Sequence, residues 1–133
     1  MLLDLEVVTP ERELVREHVD EVEVPGKDGF LGVLPGHAPL LGELGSGELS
    51  YKAGGRPHYL AVHGGFLEIR EDHVRVLADA AERPEDIDVE RARRAQNRAQ
   101  QESTNPSSDV DPAAAAAAVV RAQTRIAVAQ HRA

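Results

Sequence analysis

The sequence contains no cysteine, no tryptophan and only four aromatic residues. The lack of cysteine excludes disulfide frameworks and thiolate metal sites. With two Phe and two Tyr in 133 residues, the core has to be built from Leu, Val, Ile and Ala. No apolar run approaches the ~20 residues that span a bilayer, and the N-terminus lacks a basic segment followed by an apolar one. These absences predict a soluble cytosolic chain without direct membrane insertion.

Basic residues are scarce in the first part of the chain. Residues 1–82 contain 16 acidic and 7 basic side chains, whereas residues 83–133 contain 7 and 8. The acidic first part argues against nucleic acid as a partner, because phosphate contacts need a basic face. Anionic headgroups would also repel it, so any membrane association has to go through another protein.

Short alternating segments indicate β-strands in residues 1–83. Apolar and polar residues alternate in residues 3–7, and apolar positions recur in residues 19–24 before Pro25-Gly26. Residues 67–69 and 74–78 alternate on the two sides of a short polar turn, which predicts a hairpin. Glycines are predicted to divide the rest into strands of about five to seven residues. The pattern predicts an antiparallel β-sandwich.

The segment 29–41 is unusually apolar and also contains several glycines and prolines. These residues disfavour a long regular element, so the segment is predicted to be a loop. An apolar loop either packs beneath the sandwich or forms a contact surface for a partner. The residues alone leave both alternatives open.

Residues 84–133 are predicted to form an antiparallel hairpin of two helices. Carboxylates, among them Asp88, crowd the start of the first helix, where they suit the unsatisfied N–H groups. A stripe of small residues follows at helical spacing: Ala92, Ala95 and Ala99. After a polar loop at 101–108, Asp111-Pro112 is typical of a helix start, and the second helix is predicted to extend to Gln130. Its apolar stripe consists of Val119, Ala122, Ile126 and Ala129.

The alanine content of the second part predicts weak docking of the hairpin. A buried alanine methyl group contributes about 0.8 kcal/mol, whereas a buried Leu or Ile contributes roughly 1.5–3 kcal/mol. The hairpin should therefore fold locally but be held to its neighbours by only a few kcal/mol. A ligand of modest affinity could then shift it. The alternative is a simple packing or dimerisation arm.

Catalytic and metal sites are not indicated. No Ser lies in a context that suggests a nucleophile with its base, so no catalytic residue is predicted. The spacing of His58, His63 and His73 does not impose a convergent zinc site. These histidines are interpreted as scattered surface residues, and no metal or required cofactor is expected.

Four segments together resemble the epsilon subunit of bacterial F-type ATP synthase. They are Leu5-Glu6-Val7-Val8-Thr9-Pro10, Gly32-Val33-Leu34-Pro35-Gly36-His37-Ala38-Pro39-Leu40-Leu41, Gly64-Gly65-Phe66-Leu67-Glu68 and Val74-Arg75-Val76-Leu77-Ala78-Asp79. Each is a weak signal alone, but their order and spacing match the family across essentially the whole chain. The resemblance implies a β-sandwich domain at 1–83 and a regulatory helical hairpin at 84–133.

The resemblance also implies a function. The chain would be a non-catalytic rotor subunit of a proton-translocating enzyme, bound peripherally at the cytoplasmic face of the bacterial plasma membrane. Its sandwich would contact the gamma subunit and the c-ring loops, and its extended hairpin would reach the catalytic alpha/beta head and block ATP hydrolysis. The segment 29–41 would then face the rotor, through these contact residues: Phe30, Leu31, Pro35, His37 and Leu40.

A nucleotide motif of the family, Ile/Leu-Asp-x-x-Arg-Ala, is matched by Ile87-Asp88-Val89-Glu90-Arg91-Ala92. The resemblance implies that ATP is a regulatory ligand of the folded hairpin. Carboxylates would accept hydrogen bonds from the adenine amino group or the ribose, and guanidinium groups would bind phosphate. The implied nucleotide-binding residues are Glu82, Asp88, Arg91, Ala92, Arg98, Arg121 and Arg125. The residues themselves also fit helix capping by Asp88 and a solvated or gamma-binding arginine face.

Two further functions stay open beside the rotor subunit. One is a freestanding ATP sensor whose helices enclose the nucleotide. The other is a static structural adaptor whose hairpin never changes position.

Overall fold

Seven strands and two helices make up the computed structural model, which describes residues 1–132. The strands are β1 (Leu3–Val8), β2 (Glu13–Val19), β3 (Glu21–Gly26), β4 (Gly29–Val33), β5 (Leu40–Ala53), β6 (Arg56–Arg70) and β7 (His73–Glu82). A 3₁₀ turn at Pro84–Asp86 leads to helix α1 (Val89–Thr104), and helix α2 (Pro112–Ala129) follows. The predicted order of a β-sandwich followed by two helices is confirmed.

The strands form one continuous sheet in the order β2-β1-β7-β6-β5-β3-β4. Strands β1 and β7 pair in parallel, and the other neighbouring pairs are antiparallel. Strand β2 also contacts β5, which is not its neighbour in the sheet. The sheet is therefore curled into two layers that enclose the core.

The core between the layers is aliphatic, as the composition requires. The predicted alternation in β1 is confirmed, because Leu3, Leu5 and Val7 are almost fully buried. In the other strands, alternate residues also face the interior and belong to the same buried cluster. Its largest fully buried members also include Val19, Val24, Val33, Leu49, Val62, Ile69, Val74 and Val76.

Glycines bend long strands here, and the expectation of uniformly short strands is wrong. Strands β5 and β6 contain 14 and 15 residues. Their pairing passes from Leu44 with Gly65 to Ser46 with His63, so that the register skips one residue on each strand. This irregularity lies at the glycine-rich point of both strands, where the missing Cβ atoms permit a sharp bend.

The apolar segment 29–41 is only partly a loop. Its first five residues form the edge strand β4, whose register with β3 places Leu31 opposite Val24. The prediction of a loop is wrong for these five residues. Their backbone groups form hydrogen bonds with β3, although glycine disfavours a regular strand. Residues between Val33 and Leu40 lie outside any strand.

The helix starts are as predicted. The carboxylate of Asp88 accepts a hydrogen bond from the backbone N–H of Arg91 at 3.1 Å, and that of Asp111 accepts one from Ala113 at 3.3 Å. Helix α2 ends at Ala129, one residue before the predicted end. Within residues 1–132, no helix has the length and apolar character that a bilayer crossing requires.

The small-residue stripes meet between the two helices. Ala92 and Ala99 of α1 are buried, whereas Ala95 is exposed, so the predicted stripe of α1 is narrower than expected. Helix α1 packs on α2, and α2 in turn packs on β5 and β6. Helix α2 is thus covered on two sides and has more buried residues than α1. They are Ala115, Ala122, Thr124, Val128 and Ala129.

The contact between the hairpin and the sandwich is a second, small apolar cluster. It joins Ala61 of β6, Ile87 of the connection, and Val128 and Ala129 of α2. Only Ile87 and Val128 are larger than alanine, so the cluster contributes several kcal/mol at about 0.8 kcal/mol per buried methylene. The main core encloses nineteen buried residues, none of them beyond Ala78. The sandwich is therefore held together without the hairpin.

Replacing Gly65 by Ala should destabilise the sandwich by roughly 3 kcal/mol. Gly65 has a φ of +120°, and a Cβ atom there would lie 2.0 Å from the backbone oxygen of Leu77. Urea unfolding followed by circular dichroism measures the loss. Gly32→Ala is the matched control, because a Cβ at Gly32 has no neighbour within 4 Å. Equal stability of the two variants would contradict the assigned strain.

Candidate functional site

An exposed apolar patch lies on the sandwich where β4, β5, β6 and β7 come together. It consists of Phe30, Leu40, Leu41, Phe66 and Leu77, which are exposed by 37–78%. These side chains line a shallow depression of about 870 Å³ together with the half-buried Leu31. Charged residues, including Lys27, Glu43 and Glu68, form part of the lining. An apolar surface with charged residues beside it is typical of a protein contact.

Three of the five predicted contact residues line the depression, and two lie outside it. Phe30, Leu31 and Leu40 line the depression, whereas Pro35 and His37 lie in the following loop and do not. Three contacts hold that loop, and one is the hydrogen bond from the backbone N–H of His37 to the carbonyl oxygen of Leu34 at 3.1 Å. The backbone N–H of Gly36 donates to the carboxylate of Asp72 at 2.7 Å, and Nδ1 of His37 lies 2.6 Å from the carbonyl oxygen of Ala38.

Two members of the apolar patch, Phe66 and Leu77, were missed by sequence reasoning, whereas Leu41 lies in the segment 29–41 that was predicted to face the rotor. Phe66 and Leu77 lie on strands whose alternate residues face the core. Phe66 and Leu77 are paired across β6 and β7, next to the buried pair Leu67 and Val76. Their alternation with core residues places these apolar side chains on the solvent side of the strands, and this pattern could have indicated a contact surface.

A polar cluster lies between the sandwich and α2, which we call the interface cluster. It consists of His63 of β6, Glu82 at the end of β7, and Arg121 and Arg125 of α2. Nε of Arg125 donates to the Glu82 carboxylate at 2.6 Å, and both side chains are about 30% exposed. The pair links the hairpin to the sandwich across 43 residues of sequence. A partly buried, charge-assisted bond contributes more than an exposed one.

His63 is the most deeply buried member of the interface cluster. It is 5% exposed, so its interpretation as a surface histidine is wrong. Neither ring nitrogen has a hydrogen-bond partner among the described residues, and Nε2 lies 4.0 Å from the Glu82 carboxylate. Burial, together with the positive charges of Arg125 and Arg121, lowers the pKa of His63 from 6.5 to about 4. The ring is therefore neutral in the docked hairpin.

The other predicted nucleotide residues lie on α1. Asp88 caps the helix, Arg91 is exposed, and Ala92 is buried. Arg98 is exposed and pairs with Glu102 on the same helix at 3.1 Å. The structure thus brings Glu82, Arg121 and Arg125 together at the interface but leaves Arg91 and Arg98 on an exposed face.

The end of the chain adds contacts that the sequence did not suggest. The ring of His131 stacks on Tyr59 with centroids 3.5 Å apart, and its Nε2 lies 2.7 Å from the Glu48 carboxylate. Arg132 donates to the carbonyl oxygens of Pro84 and Ile87. These side chains follow α2 and bind it to β5, β6 and the connection, so the hairpin is fixed at its end as well as at the interface cluster.

Chemically, the interface offers cation and carboxylate groups at the boundary between the hairpin and the sandwich. Within residues 1–132, the guanidinium groups of Arg91 and Arg121 make no ion pair, and that of Arg125 is paired with Glu82. Free guanidinium groups bind anions such as phosphate through paired N–H donors. The arrangement can therefore hold the hairpin in place and can also offer donors to an anion.

Comparisons with known proteins agree over both parts of the chain. The family model of the ATP synthase delta/epsilon chain beta-sandwich domain matches residues 2–84, and that of the long alpha-helix domain matches residues 85–130. An ATP synthase epsilon chain of Solibacter usitatus is 62% identical over 130 residues, covering 98% of this chain and 97% of that protein. One of Nitratidesulfovibrio vulgaris is 48% identical over 126 residues, covering 95% and 94%.

A solved structure has the same fold. A chain in the Euglena gracilis mitochondrial ATP synthase (OSCP, F1 and c-ring) superposes with a TM-score of 0.83 at 23% sequence identity. The match covers 98% of this chain and 82% of that chain. Because both family models match and the bacterial relatives align from end to end, this chain belongs to the family of ATP synthase epsilon chains.

Proposed function

We propose that the chain works as a non-catalytic rotor subunit that transmits c-ring rotation to the catalytic head of a proton-translocating ATP synthase. Its sandwich binds the gamma subunit and the c-ring loops, and its hairpin leaves the sandwich to block ATP hydrolysis in the alpha/beta head. The protein is then peripheral, at the cytoplasmic face of the plasma membrane. The observation that carries the proposal is the apolar patch on a chain that matches epsilon chains end to end.

The apolar patch supports the binding of a protein partner. The patch contains five large apolar residues from four strands. They are exposed and line a single depression, whereas apolar residues on an ordinary surface are scattered. Burying Phe30 and Phe66 against a partner would remove the largest of these side chains from water, which favours association. Gamma and the c-ring loops are the proposed partners because the relatives are subunits of ATP synthase.

The docking of the hairpin supports a change of position. The apolar contact with the sandwich is small, and Arg125–Glu82, His131–Glu48 and Arg132 supply the polar contacts. Partly exposed polar contacts re-form with water when the hairpin leaves, so each contributes only about 1 kcal/mol net. A docked state held by this set can coexist with an extended state.

Charging the apolar patch should weaken binding of the sandwich to its partners. Phe66→Asp is expected to lower affinity for a gamma–c-ring complex at least tenfold, because it removes an apolar contact and buries a charge. Fluorescence titration of labelled chain measures the affinity. Leu2→Ser is the matched control, since Leu2 is also half-exposed but lies outside the patch. Unchanged affinity of Phe66→Asp would contradict the assigned surface.

Ending the chain after Arg83 should increase ATP hydrolysis by the assembled enzyme several-fold, with proton coupling retained. The cut keeps Arg83, whose Nη2 donates to the carbonyl oxygen of Leu14 at 2.6 Å, and leaves the main core complete. Steady-state ATPase and proton-pumping assays on the same preparation measure both quantities. Hydrolysis equal to that of the full-length chain would instead support a static adaptor.

A second proposal is that ATP binds the folded hairpin as a regulatory ligand. The observation in its favour is the convergence of Glu82, Arg121 and Arg125 at the interface, where the connection that leads to Asp88 begins. In this proposal Arg91 and Arg98 approach the phosphates by side-chain rotation from the exposed face of α1. ATP would then stabilise the docked hairpin by binding it and not the extended one.

Arg91→Ala should weaken ATP binding to the full-length chain at least tenfold, because one charge-assisted contact is lost. Isothermal titration calorimetry at nucleotide concentrations up to the millimolar range measures the affinity. Arg93→Ala is the control, since Arg93 pairs with Glu90 on the same helix at 3.1 Å and is not assigned to the site. Absence of heat with the unmodified chain would remove the nucleotide proposal and leave the rotor proposal intact.

A further inference from the structure

The orientation of β6 places His63 beneath the hairpin. Leu60 and Val62 belong to the main core, whereas Ala61 belongs to the small cluster that contacts α2. Since successive strand residues face opposite sides, His63 lies on the same side as Ala61 and faces α2. Departure of the hairpin therefore exposes the imidazole ring to water.

The surroundings of His63 in the docked hairpin disfavour a positive charge on its ring. Both ring nitrogens lack a partner among the described residues. Arg121 and Arg125 approach from α2, and the carboxylate of Glu82 on β7 lies 4.0 Å away but is already bound to Arg125 at 2.6 Å. On the pairing strand β5, the residue opposite His63 is the uncharged Ser46. A proton on His63 would thus be poorly solvated and repelled by two guanidinium groups.

We propose that His63 is a proton-sensitive residue of the hairpin interface, and that its protonation releases α1 and α2 from the sandwich. In the docked state the polar atoms of His63 make no hydrogen bond within residues 1–132. An apolar ring at this position would therefore support docking equally well. The distinguishing property of His63 is that it can acquire a charge, and only the released state accommodates that charge in water. Acidification consequently favours the released hairpin.

The direction of the effect follows from proton binding in the two states. Docking lowers the pKa of His63 to about 4, and release returns it to the ordinary value of 6.5. The released state therefore binds more protons between these values. Docking is at full strength above pH 6.5 and weakens as the pH falls toward 4. With these two values, the docking equilibrium constant should fall about tenfold between pH 7 and pH 5.5.

One other histidine joins the hairpin to the sandwich. His131, after α2, lies 2.7 Å from the Glu48 carboxylate. The two histidines can be separated because His131 is in contact with Tyr59 and Glu48 rather than with the interface cluster. Removing His131 should leave the acid-induced release in place.

Hydrogen exchange of the α2 amides in the free full-length chain tests the proposal. After correction for the intrinsic exchange rates, protection of α2 should fall about tenfold from pH 7 to pH 5.5. His63→Phe, which keeps a ring but cannot be charged, should abolish this fall. His58→Gln, on the exposed part of the same strand, and His131→Gln should both retain it.

The unmodified chain also supplies a test that needs no variant. The NMR signal of the His63 ring should titrate well below pH 6.5, whereas titration at the ordinary value would overturn the proposal. Unchanged protection between pH 7 and pH 5.5, or a fall that persists in His63→Phe, would overturn it as well. These measurements use the free chain, so their outcome is independent of whether the released hairpin blocks hydrolysis. In the enzyme, the consequence rests on the proposed function: acidification would increase the extended, inhibitory population.

Discussion

The position of the hairpin depends on one contact, that of helix α2 with strands β5 and β6. The sandwich has its own aliphatic core, and the hairpin has its own helical hydrogen bonds. Within residues 1–132, they are joined by the cluster of Ala61, Ile87, Val128 and Ala129, against which Tyr59 and Val89 pack, and by a small number of polar contacts. Two units that are each stable, joined by a limited interface, can separate without unfolding.

The chemistry of this interface is suited to regulation. In the proposals above, competing anions would act on the ion pair Arg125–Glu82, and protons would act on the buried ring of His63. An interface filled with Leu and Ile would be stronger but would respond to neither. The alanine stripes also let α1 and α2 pack with little apolar area, which is consistent with the proposed movement of an intact helical hairpin.

Much of the fold followed from local patterns. The alternation of Leu3, Leu5 and Val7, together with Asp88 and Asp111 at the helix starts, indicated strand and helix positions that the structure confirms. Strand β4 was missed because its pairing with β3 is a tertiary contact that overrides the local effect of glycine. Long strands were divided in error, since a glycine bend and a glycine turn look alike in sequence.

The candidate site was less accessible to sequence reasoning. Arg121 and Arg125 share a helix face by spacing, but the meeting of Arg125 with Glu82 depends on how the hairpin lies on the sandwich. Burial of His63 depends on the same docking, and a polar residue within a strand otherwise looks like a surface residue. Likewise Phe66 and Leu77 become a surface only when β6 and β7 are placed beside β4 and β5.

Movement of the hairpin can be measured as a change in its distance from the sandwich in the assembled enzyme. Because the chain contains no cysteine, spin labels can be attached at single introduced cysteines, for example at the exposed positions Arg56 and Gln123. Pulsed electron paramagnetic resonance should show two distance populations whose ratio differs between synthesis and hydrolysis conditions. A single distance that matches the docked structure under both conditions would contradict a movable hairpin.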